Sequence, residues 1–118
     1  MLCASGGKSG RLAEAITEVT EGIMDEPPVV RDDVDFHEIK AVAGTLEPDL
    51  LIGNSKGYRI ARDLGVPLVR VGFPIHDRFG GPRILHLGYR GSQALLDTIV
   101  NKLIEAGQDS SDVGYTYY

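Results

Sequence analysis

The chain has 118 residues, 42% of them hydrophobic and 25% charged, with a formal net charge of -5; this describes one globular domain with a modest core, small for a complete enzyme. The acidic balance leaves no basic surplus to neutralise phosphates, which excludes broad nucleic-acid binding, and no apolar run approaches a membrane span or follows the order of a signal peptide. The lone cysteine, Cys3, excludes an internal disulfide framework and a four-cysteine metal or iron–sulfur site within one chain, suits a reducing cytoplasm, and leaves room for a cluster shared between subunits.

Leu2 to Ala4 reads as the stub of a strand, followed by the Gly-rich turn Ser5 to Gly10. Over residues 11–23, Leu12, Ala15, Ile16, Val19 and Ile23 recur at helical spacing. Asp25 to Pro28 break that helix, and Val29-Val30 is a short buried-strand candidate. Asp35 followed by Glu38 has the form of a capping box with Asp as the cap. It predicts a helix over 36–46 that buries Phe36, Ile39, Ala43 and Leu46, with Pro48 stopping it. Leu50 to Ile52 is a two-sided apolar strand of the parallel-sheet kind.

Asn54 or Ser55 then caps a helix that runs through Leu64, and Gly65 closes it as a left-handed residue. Pro67 to Val71 is the next strand. After a long loop, Ser92 is the expected cap of the last helix. There Leu95, Leu96, Ile99, Val100, Leu103 and Ile104 make one apolar stripe, and Gly107 is its expected end. Strands alternating with helices indicate an α/β fold, a three-layer Rossmann-like parallel sheet of about four strands flanked by helices. Residues 1–107 form this domain, and residues 108–118 a polar, Tyr-rich tail. The brevity of the opening strand suggests a domain cut from something longer.

Three segments carry candidate chemistry. Gly7-Lys8-Ser9 has the ending of a phosphate-binding loop, but the glycine that pattern needs five positions earlier is Leu2. A plain strand-to-helix turn is the better reading, with weak anion binding at the helix start as the alternative. Gly53-Asn54-Ser55-Lys56-Gly57 opens a helix at a strand's carboxyl end. Two readings stand: a site where N–H groups, the Asn54 amide and the Lys56 ammonium meet an anion, or a cap followed by a solvated lysine. In Phe73-Pro74-Ile75-His76-Asp77-Arg78, Asp77 has three candidate partners: Arg70, Arg78 or the His76 ring. His86 is a second imidazole ten residues on. Two histidines and an aspartate fall short of a closed zinc site, so the plainer reading is a structural ion pair with His76 packed beside it. No Ser/His/Asp order or Cys/His pair nominates a catalytic residue.

The run LLIGNSKGYRIARDLGVPLVRVGFPIHDRFGG, followed by LGYRG and an amphipathic helix, resembles the C-terminal end of nitrogenase component 1-type proteins. The likeness is to the beta-like branch, the beta-like subunit of the molybdenum–iron protein or of the scaffold that assembles the iron–molybdenum cofactor, and covers about residues 29–106, with looser similarity in CASGGKSGR. The resemblance implies a subunit of three Rossmann-like domains, of which this chain matches the last. It implies that the cluster-binding cysteines lie in the earlier domains, so no cofactor is held by this chain alone. An iron–sulfur or iron–molybdenum cofactor precursor is then a ligand of the full assembly, and the partners are other nitrogenase-like subunits or domains. In the alpha-like branch a histidine of the corresponding loop ligates the cofactor; here Gly72-Phe73-Pro74 follows the beta-like pattern, and His76 stands where many relatives carry an aromatic residue. The expected contact residues are Asn54, Ser55, Lys56, His76 and Arg78, with His76 as the one candidate metal ligand. The expected role is that of a scaffold piece. The alternatives are a fragment of a beta-like oxidoreductase subunit and an anion- or nucleotide-binding module built on Ser5 to Gly10.

Overall fold

The computed structural model describes residues 1–113 and divides into two compact units, Met1–Pro48 and Asp49–Tyr118. In the first, β1 (Leu2–Ala4) is followed by α1 (Leu12–Thr20), β2 (Val29–Arg31) and α2 (Phe36–Leu46). β1 and β2 pair in parallel, Leu2 opposite Val29 and Ala4 opposite Arg31. Parallel neighbours need a crossover between them, and α1 supplies it. The Glu38 N–H donates to Asp35 Oδ1 at 2.9 Å, so the expected cap opens α2. Of the face predicted to be buried, Ala43 is buried and Ile39 half-buried, while Phe36 and Leu46 remain exposed. α1 is shorter than its apolar spacing suggests, and Val19 and Ile23 are exposed as well.

The second unit repeats the plan. β3 (Leu51–Gly53) leads through a 3-10 turn (Ser55–Gly57) into α3 (Tyr58–Leu64), then β4 (Leu68–Arg70), a second 3-10 turn (Gly81–Arg83) and α4 (Gly88–Asp109). β3 and β4 are parallel, Leu51 opposite Leu68 and Gly53 opposite Arg70. Gly65 closes α3 with φ 69°, as its position predicts. The core gathers Ile60 and Ala61 from α3, Leu68 and Val69 from β4, and Ile75 from the following loop. The four strands are thus parallel within βαβ units, a Rossmann-like α/β fold, and among the described residues they hydrogen-bond as two two-stranded sheets.

The last helix departs from expectation at both ends. Ser92 does not cap it; α4 begins at Gly88, and Leu87 precedes it without a side-chain cap. Gly91 is buried against the backbone of His86, five residues before it, where a Cβ would fall 2.7 Å from the carbonyl carbon, and this local close approach lies within the extra turn ahead of Ser92. At the other end Gly107 stays helical, and the Ser110 N–H donates to the Ala106 carbonyl at 3.1 Å. Gln108 and Asp109 therefore belong to the helix rather than to a tail. The tyrosines of the expected tail, Tyr115, Tyr117 and Tyr118, lie outside the described residues. Of the apolar stripe, Leu95 and Ile99 are half-buried, while Leu96, Val100, Leu103 and Ile104 are exposed.

Candidate functional site

Beyond the carboxyl ends of β3 and β4 the two chain segments are stitched together. The Val71 N–H donates to the Gly53 carbonyl at 2.8 Å, carrying the pairing one step past β4. The Ser55 N–H donates to the Pro74 carbonyl at 3.0 Å. The Asn54 side chain works in both directions: its Nδ2 donates to the Phe73 carbonyl at 3.1 Å, and its Oδ1 accepts the Lys56 N–H at 3.0 Å. The turn after β3 and the loop after β4 therefore share one rim, where open α/β sheets take their ligands.

The hub of this rim is a three-residue network. Arg70 grips Asp77 with two parallel bonds, Nε to Oδ1 at 2.9 Å and Nη2 to Oδ2 at 2.8 Å. This bidentate fork is the strongest form of the pair, and the Arg70 side chain is only 10% exposed. Ser55, buried, donates its hydroxyl to Asp77 Oδ1 and accepts the His76 N–H at 3.2 Å on the same oxygen. Hydrogen bonds from Arg70 and then Ser55 hold the Asp77 carboxyl far below the usual carboxylate range, against a smaller upward push from partial burial. Arg78 adds a bond from Nη1 to the Asp77 carbonyl at 2.6 Å, with the same nitrogen 3.7 Å from Oδ2. Of the three partners foreseen for Asp77, Arg70 takes the carboxylate and Arg78 flanks it; the His76 backbone, not its ring, joins through Ser55.

The structure thus brings Asn54, Ser55 and the His76 backbone into one network, with Lys56 and the His76 and Arg78 side chains exposed around it. The sequence reading has Ser55 as a helix cap or as a contact residue, and the structure buries its side chain under the rim. Its role as the hub was missed, since a serine after a strand has only the capping signature. His86 does not join His76; it lines a separate cavity of about 160 Å³ with Leu68, Val69, Arg70 and Leu95, and its Nε2 is buried without a partner. Among the described residues no group of three or more His, Cys, Asp or Glu side chains can hold a metal ion, so His76 offers one imidazole. No helix among them is long and apolar enough to cross a membrane. Asn54, Lys56 and Arg78 can meet an anion, and His76 can donate one nitrogen to a metal held elsewhere.

The Gly-rich turn of the first unit is arranged differently. The Ser9 and Gly10 N–H groups donate to Asp32 Oδ2 at 3.1 and 3.3 Å, and Lys8 lies 3.8 Å from Asp33. Ser9 Oγ accepts the Leu12 N–H at 3.0 Å and so helps open α1. The amides and the lysine that would cradle a phosphate face internal carboxylates, which supports the strand-to-helix reading.

Comparison with known proteins places this geometry in a family. The family model described as "Nitrogenase component 1 type Oxidoreductase" matches residues 1–104. The chain is 59% identical over 61 residues to the nitrogenase molybdenum-iron protein beta chain of Methanothermobacter thermautotrophicus, covering 51% of this chain and 13% of that protein. It is 36% identical over 96 residues to the nitrogenase iron-molybdenum cofactor biosynthesis protein NifN of a Nostoc species, covering 78% of this chain and 20% of that protein. Among solved structures, one described as "Nitrogenase Cp1 at pH 6.5" matches with a TM-score of 0.89 and 26% identity, covering 99% of this chain and 26% of the other. The chain spans between 13% and 26% of the length of these proteins. It belongs to the nitrogenase component 1 type oxidoreductase family.

Proposed function

We propose that this chain is the C-terminal, beta-like part of a nitrogenase-type protein that takes part in assembling an iron–molybdenum cofactor, as a scaffold that contacts the metallocluster precursor. The observation that carries this reading is the rim. Lys56, His76 and Arg78 are exposed around a hub fixed by Arg70, Asp77 and Ser55, at the strand ends where such sheets bind ligands. Iron–sulfur clusters are held by thiolates, and this chain contains only Cys3. The cluster's own ligands would therefore come from other domains or subunits of a nitrogenase-like assembly. This rim would add one imidazole from His76, charge from Lys56 and Arg78, and an anchored loop through Asn54 and Ser55. Similarity to a cofactor biosynthesis protein over 78% of the chain supports the assembly role. Similarity to beta chains, at higher identity over a shorter stretch and at 35% identity over 81% of the chain, supports equally a second reading, a fragment of a nitrogenase-type oxidoreductase subunit.

The test is anaerobic isolation of the assembly that contains this chain, with iron content and visible absorption measured alongside the melting temperature. His76→Ala and Lys56→Ala should each reduce the cluster retained while leaving the melting temperature unchanged, because both side chains lie outside the hub. Full retention in both variants would contradict the reading.

A further inference from the structure

The segment that contains the rim carries a charge that the rest of the chain does not. Residues 54–90 contain seven Lys and Arg and two Asp, a net of +5 (7 − 2), inside a chain whose total is -5. The remaining residues therefore sum to −10 (−5 − 5). Asp77 does little to offset the exposed cations, because its carboxylate is already forked by Arg70. Lys56, Arg59, Arg78, Arg83 and Arg90 are all exposed. The bonds from Asn54 to Phe73 and from Ser55 to Pro74 bring the turn bearing Lys56 to the loop bearing Arg78 and Arg83. The same loop feeds the first turn of α4, where Arg90 sits.

Exposed aromatic rings occur along the same segment. Phe73 is 78% exposed, Phe79 96% and Tyr89 99%, and the Arg83 guanidinium lies 5.1 Å from the centre of the Phe79 ring. Rings left this open bury little surface against this chain. Aromatic residues and arginine are the types enriched where protein surfaces meet, and clustered positive charge selects a partner of the opposite sign.

We propose that the surface from Lys56 to Arg90 docks a carboxylate-rich segment of a protein partner, the arginines meeting its acidic side chains and Phe73, Phe79 and Tyr89 covering its apolar ones. The inference goes beyond the cofactor reading and does not rest on it. A nucleic acid fits less well, because the −10 on the rest of the chain repels a long polyanion.

The experiment uses a fluorescent glutamate-rich peptide bearing one tryptophan, titrated with the chain at rising salt, beside the same peptide with lysine in place of glutamate. The acidic peptide should bind, weaken as salt rises, and outcompete its basic counterpart. Combining Arg83→Glu with Arg90→Glu should weaken it by about tenfold or more. Combining Phe79→Ala with Tyr89→Ala should weaken it even at high salt, where the charge contribution is screened. These side chains are exposed, so the melting temperature should hold in each variant. Equal binding of the two peptides, or an unchanged Kd after charge reversal, would overturn the proposal. A single-stranded DNA oligonucleotide that binds more tightly than the peptide and is lost with the same arginines would overturn it in favour of the other class of partner. No iron is present in the assay, so its failure leaves the cofactor reading to its own test.

Discussion

Replacing Ser55 with alanine removes one oxygen that serves two neighbours. The hydroxyl donates to the Asp77 carboxylate and accepts the His76 N–H at 3.2 Å, and the residue is 5% exposed, so water reaches the gap poorly. A hydrogen bond to a charged group contributes about 1.5–3 kcal/mol and a neutral one about 0.5–1.5 kcal/mol. Asp77 keeps both bonds from Arg70 and its side chain is 27% exposed, which limits the loss on that side. The expected cost of Ser55→Ala is therefore about 2–4 kcal/mol. At roughly 3–5 °C per kcal/mol for a chain of this length, the melting temperature should fall by roughly 6–20 °C. Far-UV circular dichroism against temperature reads this directly, and amide exchange at His76 should accelerate in the variant. A melting temperature within about 2 °C of wild type would mean that the hub does not hold the rim.

Asp77→Asn should destabilise in a pH-dependent way. The folded-state pKa is depressed below the ordinary value of 3.8, so the carboxylate's contribution is complete above that value and is lost as pH falls through it towards the folded value. The melting-temperature gap between wild type and Asp77→Asn should be wide at neutral pH and close below 3.8; a gap that is constant with pH would contradict the assignment. Gly91→Ala should cost about 1–3 kcal/mol, because its Cβ would meet the His86 backbone, which cannot rotate away as a side chain can. Denaturant titration tests this, and an unchanged midpoint would refute the close approach. Asp35→Ala should cost about 1 kcal/mol through the lost cap on the Glu38 N–H, while Asp35→Asn should keep most of it, measured in the same titration.

What was legible in the sequence is what short-range chemistry decides. The α2 boundaries follow from Asp35, Glu38 and Pro48, and the α3 end from Gly65, because caps act within one turn. The strand ends were legible too, since apolar runs stop where polar turns begin, and this located the rim. Partner choice within the rim was not legible. Arg70 and Arg78 are both near Asp77 in sequence, and only the path of the loop after β4 gives the fork to Arg70. The start of α4 differs from expectation for another reason: Ser92 has the chemistry of a cap, yet the helix already runs from Gly88, whose positive φ and the close approach of Gly91 to the His86 backbone leave no capping signature. Apolar spacing overstated burial at Val19, Ile23 and Leu96, because periodicity identifies a face but not what covers it.

The account stands on Ser55 and Asp77 acting as one unit at the ends of β3 and β4. Melting temperatures of Ser55→Ala, Asp77→Ala and the double variant, taken at neutral pH, test this most directly. The account predicts that the double variant loses clearly less than the sum of the two single losses, since each substitution removes the same bond. Losses that add without remainder would show two independent residues and leave the rim without its hub.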